Sequence, residues 1–115
     1  SEISFEVKGL DEALQRLGRK AEGLRGQVQG VLRDGAQRIV DHARGLAPVR
    51  TGRLRDSIGI LDEGDLEVTG GSEVDYAGYV EYGTSRMMAK PYMHPAIIWE
   101  KENLRKALQN LAVIE

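Results

Sequence analysis

An apolar stripe through the first third of the chain limits what it can build. Leu10, Leu14, Leu17, Ala21, Leu24, Val28 and Val31 recur at alternating steps of four and three, the spacing of one helix side. A second stripe, Leu32, Ala36, Ile39, Val40, Ala43 and Leu46, follows out of phase, and Gly23, Gly26, Gly30 and Gly35 cluster around the change. The pattern predicts a bend or break between residues 11 and 46. Without one, the helix would span about 54 Å at 1.5 Å per residue, twice the diameter expected of a single domain of 115 residues. A helix that protrudes instead carries a stripe its own chain cannot cover, so either outcome leaves helix faces available for assembly.

Ahead of the stripe, Ile3-Ser4-Phe5-Glu6-Val7-Lys8 alternates with period two, predicting a strand over 2–8 with Ile3, Phe5 and Val7 buried and Gly9 ending it. Asp11 and Glu12 suit the helix start that follows. Ala47-Pro48 stops the helix, because a residue before proline is pushed out of helical conformation. Leu54, Ile58 and Ile60 then predict a strand over 54–61, Asp62-Glu63-Gly64-Asp65 a turn, and Leu66 and Val68 a strand over 65–72. Asp75 is placed to cap a short helical turn carrying Tyr76, Tyr79 and Val80, with Gly83 at its end. Pro91 and Pro95 predict an ordered extended loop over 84–95, after which Pro95 starts a last helix. That helix shows a face of Ile97, Leu104, Leu108 and Leu111, interrupted by Lys101. The expected fold is α+β, a single domain over 1–115 with an antiparallel sheet of three or four strands packed on one face by two or three helices. Strand order stays open.

Composition excludes several classes. No apolar run approaches the roughly 20 residues of a membrane-spanning helix, and the chain does not start with a basic-then-apolar secretory pattern. Cysteine is absent, which removes disulfides, thiolate metal sites and a cysteine nucleophile. The two histidines, His42 and His94, stand in no known catalytic or metal-ligand spacing, and Asp65 and Glu67 share a solvated strand face with no apolar pocket to raise a pKa. We expect no enzyme, no cofactor, no metal and no small-molecule substrate. A hydrolase built on Ser85 and His94 is the alternative from that class.

Charge is small in total but uneven. The formal net charge is -2, yet residues 57–85 hold seven acidic and no basic side chains, among them Asp62, Glu63 and Asp65 in the expected hairpin. Arg50, Arg53 and Arg55 crowd one exposed loop. This basic loop reads in three ways: paired within the chain to Asp56 or the acidic hairpin, set against carboxylates of a neighbouring copy, or gripping phosphates as a small nucleic-acid-binding module. Tyr76, Tyr79, Tyr82, Tyr92 and Trp99, five of the six aromatic residues, fall within 24 positions alongside Arg86, Met87, Met88 and Met93. Such side chains either fill a core or anchor an interface, and we expect Tyr79, Tyr82, Arg86, Met87, Met88 and Tyr92 at an interface.

Three short strings carry a resemblance. Leu46-Ala47-Pro48-Val49-Arg50-Thr51-Gly52-Arg53-Leu54-Arg55-Asp56-Ser57-Ile58 is followed, some 20 residues on, by Tyr76-Ala77-Gly78-Tyr79-Val80-Glu81-Tyr82-Gly83-Thr84-Ser85-Arg86 and then by Pro91-Tyr92-Met93-His94-Pro95-Ala96. In this order they resemble the tail-component family of long-tailed phages named after phage Hong Kong 97, although Met88 stands where members often have proline. The resemblance implies a structural protein of the virion neck or tail end, active in tail completion or head–tail joining and assembled as a ring of its own copies with other neck and tail proteins. It brings no catalytic residues, and it implies contact with DNA only where DNA passes through a channel. A ring uses heterologous contacts, for which a basic loop and an acidic hairpin are a suitable pair.

Overall fold

In the computed structural model, which describes residues 2–8 and 20–113, everything is arranged around one helix, Lys20–Leu46 (α1). Before it comes β1, Ile3–Lys8; after it come α2, Arg53–Ser57, β2, Gly59–Gly64, β3, Glu67–Ser72, α3, Ala77–Tyr82, and α4, Met93–Val113. The strands form an antiparallel sheet in the order β1-β3-β2, giving the α+β class the sequence predicts. In β1, Ile3, Phe5 and Val7 are buried and the residues between them exposed, as period two requires.

The glycine cluster breaks nothing. α1 runs unbroken from Lys20 through the phase change, which corrects the expected break. It packs against all three strands and also against α4, so it needs apolar residues on two sides, and two overlapping stripes in the sequence are the result. Val28, Leu32, Ala36, Ile39, Val40 and Ala43 are all buried. Gly35 admits α4, for a Cβ there would stand 2.7 Å from Leu104 Cδ1. The described residues extend 53 × 21 × 21 Å with a radius of gyration of 15.9 Å, against roughly 13 Å for a compact chain of this length. Elongation, not interruption, accommodates the helix. The expected helix start at Asp11 and Glu12, and Leu10, Leu14 and Leu17 of the first stripe, lie outside the described residues.

The second expected strand is partly a helix. Leu54 and Ile58 are buried, but the four-residue step between them fits both periods, and the backbone takes the helical one in α2. Gly52 in the left-handed region, φ 85°, starts that turn, and the Asp56 amide donates to the Gly52 carbonyl at 2.9 Å. The hairpin also turns later than expected. β2 continues to Gly64, and the turn is Asp65-Leu66, with a bulge at Leu61 shifting the register between Ile60 and Asp62. Leu66 holds φ 55°, rare for a leucine, because burial of its side chain and a 2.6 Å hydrogen bond from its amide to Gln29 Oε1 hold it there. α3 ends at Gly83 as predicted, whereas the residue at its N-cap is Tyr76 rather than Asp75. α4 begins at Met93, ahead of Pro95, which occupies its first turn.

Candidate partner interface

The acidic hairpin is spoken for within the chain. Arg25, Gln29 and Arg33 recur at four-residue steps along one side of α1 and meet the hairpin tip in order. Arg25 pairs with Asp65, its Nε donating at 3.2 Å; Gln29 receives the Leu66 amide; Arg33 Nε donates to Glu63 Oε1 at 2.7 Å. The hydrogen bonds from Arg33 and Arg25 hold the Glu63 and Asp65 carboxyls below the usual carboxylate range. Asp62 makes no hydrogen bond or ion pair among the described residues and stands exposed on β2.

Of the three loop arginines, Arg55 is also engaged internally, its Nε donating to Asp56 Oδ1 at 3.0 Å, with Arg44 a further 3.9 Å from the same oxygen. Arg53 lies over the Tyr76 ring at 5.7 Å, a cation–π contact. Arg50 has no partner among the described residues.

The second motif is an ordered loop built on a buried carboxylate. Glu81 Oε1 accepts the backbone amides of Tyr92 at 3.0 Å and Met93 at 2.7 Å, and Oε2 accepts that of His94 at 3.0 Å. These amides begin α4, so one side chain of α3 caps the next helix from across the loop. Gly83, at φ 77°, turns the chain where a Cβ would stand 2.8 Å from the Ala89 amide nitrogen. Thr84 and Met87 then pair across a tight turn, and the Lys90 amide donates to the Val80 carbonyl at 2.8 Å. Tyr92, expected at an interface, is fully buried instead: its hydroxyl donates to the Ala77 carbonyl at 2.8 Å. Burial, with the Glu81 carboxylate adding to it, raises the phenol well above its ordinary pKa and keeps it a donor. Tyr79, Tyr82, Arg86, Met87 and Met88 are exposed, Met88 at 86%.

The two motifs meet. The arginine loop and the Met87-Met88 loop form the sides of a groove of about 720 Å³. Arg50, Arg53 and Lys90 supply its charge, and no carboxylate is among its described lining residues. Pro48, Leu54, Tyr76, Val80, Met87 and Met88 supply its apolar surface. The sequence reading missed Lys90, a lone lysine before Pro91 with no local pattern to single it out. It also missed Glu81, counted only as one more acidic residue. A third site it missed holds α4 to α1: buried Glu100 accepts from Arg38 Nε at 3.2 Å and lies 2.9 Å from His42 Nδ1. Burial raises the Glu100 carboxyl, and hydrogen bonds from Asn103, Arg38 and His42 with the Arg38 charge more than offset this, leaving it below the usual range. Among the described residues no group of three or more His, Asp or Glu side chains is placed to hold a metal ion, and no helix is long and apolar enough to cross a membrane.

Comparison with protein families decides the kinship. The family described as "Bacteriophage HK97-gp10, putative tail-component" matches residues 8–83, which covers α1, the arginine loop, the hairpin and α3. The chain belongs to this family. It is accordingly a structural component of the phage tail, placed in the virion and in contact with other phage structural proteins. Neither the curated proteins nor the solved structures contain a significant match.

Proposed function

We propose that this tail component acts in tail completion or head–tail joining at the neck or tail end, by forming a ring of its own copies that docks on neighbouring neck and tail proteins. It carries out no reaction. The observation that carries this reading is the groove between the two motifs, where three cations without a lining carboxylate adjoin exposed methionines. Such a surface is left unsatisfied in a single copy. Elongation supports the reading too, since a rod-shaped subunit presents long flanks to its neighbours.

The test is Arg53→Glu, assayed by native mass of the assembled protein and by complementation of tail assembly in a phage lacking the gene. Loss of assembly with an unchanged unfolding profile is expected. Assembly that proceeds normally overturns the reading. A second reading, a nucleic-acid-binding module, draws on the same cations, because phosphates would satisfy them equally. Its mark is DNA affinity that falls steeply with salt and disappears in Arg50→Glu/Arg53→Glu.

A further inference from the structure

Whatever fills the groove has to be acidic and apolar at once. No carboxylate is among its described lining residues, and Met87 and Met88 expose their side chains there. The described residues offer few free acids. Glu63, Asp65, Asp56, Glu100 and Glu102 are paired with basic side chains, and Glu81 is used up by three amides. Of the other acids among the described residues, exposed Glu2 and Glu73 and half-buried Glu67 have only buried or half-buried apolar neighbours in the sequence, and exposed Asp34 stands beside Arg33, whose charge it faces. Asp62 differs. Ile60 and Leu61, just before it, are 36% and 37% exposed, and all three lie on β2, which pairs with β3 alone among the described strands. Leu61 is the bulged residue, and a bulge turns a side chain away from its regular position in the sheet.

We infer that the groove of one copy seats the β2 edge of a second copy, with Ile60 and Leu61 against Met87 and Met88, and Asp62 between Arg50 and Arg53. Charge complementarity selects this occupant: among the described residues, the strand supplies the one carboxylate that is free, exposed and next to exposed apolar side chains. Groove and strand are different surfaces, so each copy can give one and receive the other, the heterologous arrangement that closes into a ring. The inference rests on the ring reading above and names the two surfaces that would form it.

The absence of cysteine makes a clean test possible. Leu61→Cys and Met88→Cys, both at exposed positions, are prepared separately, checked for an unchanged unfolding profile, mixed and mildly oxidised. Disulfide-linked dimers should form in the mixture and far less in either variant alone, since the bond requires Cα atoms within about 7 Å. Adding Arg53→Glu to the Met88→Cys chain should cut the yield about tenfold, and Asp62→Arg in the partner should restore it. Equal cross-linking of one variant with itself overturns the inference. Absence of cross-linking in a wild-type background that still forms multimers overturns it too, while leaving the ring reading in place. A chain that stays single under every condition, assembling tails included, removes both.

Discussion

At the residue scale the molecule depends on a few groups that satisfy backbone rather than ligand. Glu81 is the clearest, since its side chain is 1% exposed and its carboxylate accepts three amides, with His94 Nδ1 a further 3.6 Å from Oε2. Glu81→Ala strands those donors in the interior and should cost about 3 kcal/mol in urea unfolding, while Glu81→Gln, which keeps one acceptor oxygen, should cost less. Equal losses would mean that side-chain packing, not amide capture, is what Glu81 provides. Gly83→Ala combines an unfavourable φ of 77° with a close approach to the Ala89 backbone, and should cost about 2 kcal/mol in the same assay. Neither position could be read in advance. An acidic residue two places before a glycine occurs on many surface turns, and only the return of the chain at residues 92–94 makes it a cap.

At the element scale, the continuity of α1 makes its glycines separable. Gly30 has nothing near the position of a Cβ, so Gly30→Ala should raise the thermal midpoint, by the equivalent of up to about 1 kcal/mol. Gly35→Ala should gain less, because Leu104 must shift to make room. A helix broken at the glycines would show no gain at Gly30. The contacts that tie the hairpin and α4 to α1 should also weaken in acid. Glu63, Asp65 and Glu100 have folded-state pKa values below their unfolded ones, so their contribution is present above about pH 4 and is lost as pH falls through the folded values. The midpoint of the wild type should therefore drop more between pH 5 and pH 3 than that of Glu100→Gln. Parallel curves would rule out a part for Glu100. Periodicity revealed β1, which buries one face regularly, and indicated helix in the α1 region and in α4. It failed at 54–58, where a step of four satisfies helix and strand alike.

At the scale of the whole molecule, the two motifs that were separate strings in the sequence become one groove, and internal pairing decides which charges are left for a partner. Arg55 and the hairpin acids Glu63 and Asp65 are neutralised inside the chain; Arg50 and Asp62 are not. If opposite charges guide the copies together, raising the salt from about 50 mM to 500 mM should shift the native mass toward single chains, because screening at this range shortens electrostatic reach severalfold. A mass distribution insensitive to salt would make the apolar rim, not the charge, the seat of association.

Apolar spacing, the prolines and a few short strings were enough to indicate the α+β class, helix across the region that becomes α1 and a resemblance to a tail-component family. All of these are carried by residues near one another in the chain. Tertiary structure alone decided that α1 runs through its glycines, that Glu63 and Asp65 face α1, that Tyr92 is interior, and that Lys90 joins Arg50 and Arg53. Each of those depends on a partner about 10 to 70 residues away. A hydrogen bond or an ion pair has no periodicity of its own, so a sequence pattern cannot announce it before the chain has folded back on itself.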